Sequence, residues 1–413
     1  MKFDIARQSL LPAFLTLIVL ALVWANRYVA PEVTEEETIF TRAEDINNLL
    51  TYKELANTPA PDLQPEIVPR DTLPSNSKTE TADSVTLQTS EKTTAPTAEQ
   101  IPEEATSKQA KEQAEEQATA HTAPRMALQM PATAANRFMT THPLWGKSLA
   151  VLLIIITGLT IGRIALRYNL YSVNSALPIP LSFMLALAVG GSAIHLSTLV
   201  SLMTFALMIK NYSRSFRSGY TFDACFRGGM YLGLMVLFSP AALLIILLFP
   251  LALFFFHRTL REAVVSMVGL LTAPLALGYT NWAMRGDFTA PFLRIGEQLM
   301  AGEFASLFTS FRIPSTPILI GVGILTLLGI FSLMANIYSV GTKPRFILLY
   351  AVSAIITTAL LPITPAVTEA ELSFVALPAA LIITGLMIRL SRIVSSAIYL
   401  TLIAVTLLSI FLA

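Results

Sequence analysis

Three apolar runs within residues 220–284 constrain this chain more than any other part of its sequence. They are separated by a Ser239-Pro240 turn and by a polar break from His257 to Glu262. Each run is about as long as the roughly 20 helical residues that cross a bilayer. The turn and the break set alternating directions for three successive helices. The stretch therefore predicts a polytopic membrane protein, and the chain beyond residue 143 repeats this pattern.

The composition supports this interpretation, because 54% hydrophobic and 13% charged residues are too apolar for a soluble globular protein. The charges are also segregated. Residues 31–143 hold 19 of the 27 acidic residues but 9 of the 28 basic ones, so 8 acidic and 19 basic residues lie elsewhere. The basic residues are scattered singly at predicted helix ends, which argues against nucleic-acid binding. The only cysteine, Cys225, is interpreted as a packing residue within a helix.

The first 143 residues divide into two parts. Residues 1–30 carry Lys2 and Arg7 before an apolar run, which is typical of a signal peptide or of an uncleaved anchor, and the anchor is favoured. Residues 31–143 are acidic, rich in proline, threonine and glutamate, and lack glycine, so we predict a disordered extracytoplasmic segment. A capping-box pattern at residues 41–44 predicts one short helix within it. The segment is either a spacer or partner-docking tail, or a tolerated insertion.

Residues 144–413 are predicted to form the polytopic domain. The apolar run 177–209 is too long for one span, and Gly190-Gly191-Ser192 divides it into two. The other predicted spans are 144–166, 222–238, 241–256, 263–283, 316–338, 346–361, 373–388 and 393–412. With the first segment, the predicted fold class is an all-α transmembrane helix bundle of about 11 spans, preceded by a long disordered outer segment.

The basic residues between these spans predict the orientation, since cytoplasmic links are enriched in lysine and arginine. With the N-terminus in the cytoplasm, every basic cluster falls on the cytoplasmic side. These clusters are Arg167; Lys210, Arg214 and Arg217; Arg258 and Arg261; Lys343 and Arg345; and Arg389 and Arg392. Residues 31–143 and the C-terminus are then predicted to lie on the side opposite the cytoplasm.

Four short stretches carry a resemblance to a known family. They are residues 167–178, 222–229, 237–240, and Arg261-Glu262 with 269–274. Their order and spacing resemble those of an uncharacterised family of polytopic inner-membrane proteins of bacteroidete bacteria. The resemblance implies location and architecture but no chemistry, and the long outer segment departs from the family pattern. A more distant likeness, in layout alone, is to lipid-carrier-dependent glycan polymerases and glycosyltransferases.

The outer face holds the candidate catalytic residues. Five of the seven acidic residues beyond position 143 are predicted there: Asp287, Glu297, Glu303, Glu369 and Glu371. Arginines Arg285, Arg294 and Arg312 accompany them as candidate lipid or phosphate ligands. Glycosyl transfer from a polyprenyl-phosphate donor needs a carboxylate base and cations on the leaving phosphate. Glu369 is the first candidate, followed by Asp287 and Glu297; otherwise these charges are ordinary loop residues that pair with one another.

A second candidate constellation lies at the cytoplasmic side. Asp223 and Arg227 are four residues apart on a predicted helix, so they are expected to form a structural ion pair. Arg227 is alternatively a contact for a lipid phosphate. Gly229 and Gly233 form a small-xxx-small pattern that allows another helix to approach closely.

The sequence argues against several functions. The four histidines are far apart in sequence and match no metal-binding spacing, and no phosphate-binding glycine loop occurs, so we expect no metal, no cofactor and no ATP-driven pump. The spans lack the polar stripes of a channel.

Residues 300–311 predict an amphipathic helix on the outer membrane surface. Two functions remain open. The protein either acts on a lipid-linked envelope substrate or is a non-catalytic scaffold that binds envelope proteins.

Overall fold

The computed structural model describes residues 9–28, 131–190, 194–214, 221–284, 287–300, 315–364 and 367–412. Within these ranges every regular element is a helix, which confirms the all-α class. The α-helices are α1 Leu10–Arg27, α2 Pro131–Thr141, α3 Pro143–Arg167, α4 Pro178–Gly190, α5 Leu196–Arg214, α6 Phe222–Phe238, α7 Leu248–Phe255, α8 Leu260–Ala283, α9 Ala290–Met300, α10 Ser315–Ala335, α11 Thr342–Ala359, α12 Glu369–Leu372, α13 Ala376–Arg389 and α14 Arg392–Leu412. Short 3₁₀ helices occupy Pro240–Leu247, Ile337–Ser339, Leu361–Ile363 and Ser373–Val375. The helices predicted after residue 41 and over residues 301–311 lie outside the described residues.

Seven helical segments of the described chain are long and apolar enough to cross a membrane. They are Leu10–Arg27, Pro143–Arg167, Leu260–Ala283, Pro317–Ala335, Thr342–Ile363, Glu369–Arg389 and Arg392–Phe411. The chain is therefore a multi-pass membrane protein. The other four predicted spans correspond to α4, α5, α6 and the segment Pro240–Phe255, which are shorter or less apolar.

Helix α4 forms the centre of the bundle. All 13 of its residues are buried, and α1, α3, α10, α13 and α14 pack around it. At about 1.5 Å per residue it extends roughly 20 Å, well short of a bilayer core of about 30 Å. It ends at Gly190 and α5 begins at Leu196, as the predicted division of the 177–209 run requires. Helix α4 is thus an interior element with no lipid-facing side.

The predicted span 241–256 has an unexpected form. Its first half is the 3₁₀ helix Pro240–Leu247, and only the second half, α7, is an α-helix. Pro250 lacks the N–H that a continuous α-helix would donate to the carbonyl of Ile246, so the α-helical ladder is interrupted there. A 3₁₀ helix rises about 2.0 Å per residue, so the 16 residues extend over roughly 28 Å.

The segment 31–143, predicted to be disordered, is described only from Pro131 onward, and this last part is helical. Residues Pro131–Thr141 form α2, which packs on α3 and α5. Met139 is buried against Gly146. The side-chain oxygen of Asn136 accepts a hydrogen bond from the backbone N–H of Ser197 at 3.1 Å. That bond satisfies a free donor at the start of α5, a long-range contact that composition cannot indicate.

Helices α6 and α8 meet at their backbones. A Cβ atom on Gly229 would lie 2.0 Å from the carbonyl oxygen of Ser266, and one on Gly233 would lie 2.2 Å from that of Leu270. From the other side, a Cβ on Gly269 would lie 2.2 Å from the carbonyl oxygen of Phe226. The close packing predicted from Gly229 and Gly233 is confirmed. Only glycine fits at these positions while the two backbones remain in contact.

Helix α5 joins this pair through one tyrosine. The Tyr212 ring lies against Gly228, where a Cβ would come within 3.0 Å of it. Its hydroxyl forms a 2.7 Å hydrogen bond with the Ser266 hydroxyl, and both groups are buried. Helices α5, α6 and α8 are thereby held as one unit.

We predict that Gly269→Ala destabilises the bundle. Its new methyl group would force α6 and α8 apart, at a cost of roughly 1–3 kcal/mol. Gly321→Ala is the matched control, because no atom lies within 4 Å of a Cβ placed there. The measurement is the thermal unfolding midpoint of each purified variant in one detergent. Equal midpoints for the two variants would contradict the proposed backbone contact.

Candidate functional site

The links that carry the basic clusters lie at one end of the bundle, called here the basic end. Arg167, Arg214 and Lys343, from three different links, line one cleft together. Arg258 reaches the same region through a 3.2 Å hydrogen bond to Thr221, another residue of the cleft. Arg389 lines a cavity that shares Asn169 and Gly341 with the cleft.

The links that carry the predicted catalytic acids gather at the opposite, acidic end. The Ser239 hydroxyl donates a hydrogen bond to Glu371 Oε1 at 3.3 Å, which joins two of these links. The neighbouring 3₁₀ helix Pro240–Leu247 contacts both α9 and the 3₁₀ helix Leu361–Ile363. Ser373 also lies beside Gly190 at the end of α4. Segments far apart in sequence therefore surround the residues that follow Ser239.

The structure places the individual acidic candidates in different environments. Asp287 and Glu297 are exposed, whereas Glu369 is half-buried as the first residue of α12. Glu371 Oε2 accepts hydrogen bonds from the backbone N–H of Thr368, at 2.9 Å, and from its hydroxyl, so this carboxylate caps α12. Catalytic roles for Asp287, Glu297 and Glu369 stay predictions.

The arginine candidates at this end lie largely beyond the structural description. Arg285, Arg312 and the acidic candidate Glu303 are outside the described residues. Arg294 lies on α9, but its side chain is not described. The phosphate-binding role of Arg285, Arg294 and Arg312 stays a prediction.

Asp223 and Arg227 form an ion pair at the basic end. Arg227 Nε lies 2.8 Å from Asp223 Oδ1, and the two side chains are 52% and 71% exposed, respectively. An exposed pair of this kind contributes at most about 1 kcal/mol. Its predicted structural role, and the alternative phosphate-binding role of Arg227, stay predictions.

A second ion pair, between Arg258 and Glu262, is the feature that the sequence interpretation missed. Arg258 NH1 lies 3.0 Å from Glu262 Oε1, and the side chains are only 8% and 4% exposed. From the sequence alone, Arg258 and Glu262 indicate only a polar break between two spans. The signal that would have found them is the sequence Thr259-Leu-Arg-Glu262, which matches a capping box and forms one in the structure.

The Glu262 carboxylate links the starts of α6 and α8. Oε1 accepts hydrogen bonds from the N–H and the hydroxyl of Thr221, both at 3.2 Å, as well as from Arg258. Oε2 accepts from the N–H and the hydroxyl of Thr259, at 3.2 and 3.1 Å. Thr221 precedes α6 and Thr259 precedes α8, so one carboxylate satisfies free donors at two helix N-termini. This network fixes the register of the two helices.

Two adjoining spaces open at the basic end. The basic cleft has a volume of about 830 Å³ and is lined by Arg167, Tyr168, Asn169, Arg214, Thr221, Phe222, Asp223, Ala224, Gly341, Thr342, Lys343 and Pro344. The inner cavity, of about 410 Å³, has apolar walls that include Leu170, Leu333, Leu348, Leu381, Ile382 and Ile388. The polar residues Asn169, Tyr171, Ser172, Ser332, Asn336, Ser339 and Arg389 line the rest of it.

No metal site is formed within the described ranges, where no three histidine, cysteine, aspartate or glutamate side chains lie close enough to hold an ion. Cys225 is buried in α6, as a packing residue would be.

Comparison with known proteins gives no relative: no protein-family model, no curated protein and no solved structure matches the chain.

We predict that the two ion pairs differ in their contribution to stability. Arg258→Leu leaves Glu262 buried without its counter-charge, which typically costs about 3–5 kcal/mol. Arg227→Leu removes a partner from an exposed pair and should cost less than about 1 kcal/mol. Thermal unfolding midpoints in detergent distinguish the two variants.

The double variant Arg258→Leu/Glu262→Leu provides the control for the buried pair. Because it leaves no unpaired charge, it should recover part of the stability lost in the single variant. A similar small loss in Arg258→Leu and Arg227→Leu would show that the buried pair is dispensable.

Proposed function

We propose that this protein is an inner-membrane protein of bacteria that acts on a lipid-linked envelope substrate at its acidic end. One observation carries the proposal: α9, which bears Glu297 and follows Asp287, contacts the 3₁₀ helix Pro240–Leu247, and α12, which bears Glu369, is hydrogen-bonded through Glu371 to Ser239 just before that helix. Carboxylates held at a membrane surface are suited to take a proton from the acceptor hydroxyl of a glycosyl or phosphoryl transfer. The neighbouring arginines of the 285–312 region would hold the phosphate of the lipid carrier.

Glu369 is the best candidate for the general base in this proposal. Its half-buried position gives more shielding from water than Asp287 and Glu297 have. Glu371, although only two residues away, already accepts hydrogen bonds from Thr368 and Ser239 as a helix cap. The acidic end therefore contains a matched pair of glutamates, one proposed as catalytic and one structural.

The proposal includes eleven spans, with the basic end in the cytoplasm. The four segments beyond the seven long apolar helices also connect the two ends, since the links alternate between basic and acidic ends along the chain. The positive-inside rule then places residues 31–143 and the C-terminus outside. The inner-membrane location rests on the family resemblance of the sequence.

Cysteine labelling tests this orientation. In a Cys225→Ser background, a cysteine at Ala290 should react with a membrane-impermeant maleimide in intact spheroplasts, because it lies at the acidic end. A cysteine at Arg214 should react only after the membrane is permeabilised. Labelling of position 214 in intact spheroplasts would reverse the proposed orientation.

Isosteric replacement of the acids tests the enzymatic proposal. Glu369→Gln should abolish complementation of a deletion strain at a normal protein level, because loss of a general base lowers a rate about 10²- to 10⁴-fold. Native mass spectra of the purified wild type and variant should both show a co-purifying polyprenyl phosphate. Asp287→Asn and Glu297→Gln test the remaining candidates in the same way.

Glu371→Gln is the matched control, and its effect should be confined to the amount of folded protein. A non-catalytic scaffold predicts a different pattern, in which several acidic variants each cause a small, salt-sensitive loss. Wild-type behaviour of all four variants, together with no bound lipid phosphate, would remove the lipid-linked substrate from consideration.

A further inference from the structure

We propose that the basic cleft and the inner cavity together form a binding site for an anionic lipid, with its phosphate head in the cleft and its apolar chain in the cavity. The two spaces share Asn169 and Gly341, so a single molecule can occupy both. This site lies at the end of the bundle opposite to the proposed catalytic acids and does not depend on their function.

Three cations from three links point to a phosphate in the cleft. Arg167 ends α3, Arg214 ends α5 and Lys343 lies in the first turn of α11, and all three side chains are exposed. Among the described residues, no carboxylate forms an ion pair with any of them. Lys210 adds to the positive field, since the charges of Arg163, Arg167 and Arg214 act on it. Like charges that line one cleft repel one another, and an anion bound in the cleft relieves that repulsion.

The one acidic residue of the cleft does not oppose an anion strongly. Asp223 is already paired with Arg227, at 2.8 Å. The pair is nearly neutral as a unit, so the three cations Arg167, Arg214 and Lys343 decide the sign of the cleft. Arg167 and Arg214 stand at helix ends and Lys343 on another helix, so the cleft offers an anion cations from three separate elements, which favours a compact group such as a phosphate monoester.

The apolar part of the inner cavity favours a lipid phosphate over a phosphate from solution. Arg389 attracts either anion, but the apolar side chains also bury an alkyl or prenyl chain favourably, which a phosphate from solution lacks. Three glycines, Gly329, Gly341 and Gly385, line this cavity. A Cβ on Gly385 would lie 3.6 Å from the Tyr171 ring, so the position is free of close contacts and opens space beside it.

The turn after α3 builds the junction between the two spaces. Asn169 has a φ of 47°, and the N–H groups of Asn169 and Leu170 bond back to Leu166 and Ala165 at the end of α3. This left-handed turn ends the helix and directs Leu170 into the core. The hydroxyl of the next residue, Tyr171, then donates a 2.7 Å hydrogen bond to the carbonyl of Leu381 on α13. The link is thereby fixed between the cleft and the cavity.

Titration by native mass spectrometry tests the site on the full-length protein in a zwitterionic detergent. The probes are dioctanoyl phosphatidic acid, dioctanoyl glycerol, which lacks the phosphate, and inorganic phosphate, which lacks the chains. We expect phosphatidic acid to bind at least about tenfold more tightly than either of the others, since it alone fills both spaces. Arg214→Gln and Lys343→Gln should each weaken its binding by about tenfold, as expected for loss of one charge-assisted hydrogen bond.

Matched controls separate the site from a general effect of charge or bulk. Arg261→Gln removes an exposed positive charge from the basic end outside the cleft and should leave binding unchanged. Gly385→Val narrows the cavity and should weaken binding of phosphatidic acid, whereas Gly321→Val, in open space, should not. Unfolding midpoints confirm that each compared variant is folded, and Gly385→Ala replaces Gly385→Val if the larger residue prevents folding.

Three results would overturn the proposal. Equal weakening by Arg261→Gln and Arg214→Gln would show unspecific attraction to the basic end. Equally tight binding of inorganic phosphate, unaffected at Gly385, would assign the cleft to a soluble anion instead. Binding of dioctanoyl glycerol as tight as that of phosphatidic acid would remove the role of the cations. Because all readouts concern binding at the basic end, they are independent of the outcome for Glu369.

Discussion

The backbone contact between α6 and α8 is the interaction on which the basic end depends. In lipid, helices gain nothing from hiding apolar surface from one another, so close packing and hydrogen bonds must hold them together. Gly229, Gly233 and Gly269 provide the close packing, and Glu262 supplies the hydrogen bonds at one end of the same interface. A rigid α6–α8 pair fixes the position of Thr221, and with it one wall of the basic cleft.

Much of the fold could be predicted because span length and apolarity are local properties of the sequence. Residues within one or two helical turns of each other are enough to predict three features. These are the all-helical class, the division near Gly190 and the packing role of Gly229 and Gly233. Helix α2 was missed because its order depends on Asn136 reaching Ser197, 61 residues away. The 3₁₀ form of Pro240–Leu247 was not predicted, because apolarity indicates that a segment is buried in lipid or protein but not which type of helix it forms.

The two ion pairs show why the site was harder to predict than the fold. Asp223–Arg227 and Arg258–Glu262 share the same i, i+4 spacing, yet one is largely exposed and the other is almost completely buried. The spacing shows that the two side chains can form an ion pair, whereas burial determines how much the pair contributes to stability. The burial of Glu262 depends on Thr221, which lies 41 residues away in the chain. No local pattern contains that information, although the capping box at Thr259 gives half of it.

The separation of charge along the bundle restricts how both proposed sites can serve one lipid substrate. The basic cleft and the acidic end lie at opposite ends of the described bundle. Helix α4 fills the interior between them, with every residue buried. Passage of a charged head group alongside this helix would carry a large desolvation penalty. We therefore expect a lipid that uses both ends to travel along the outer surface of the bundle or to be supplied separately to each leaflet.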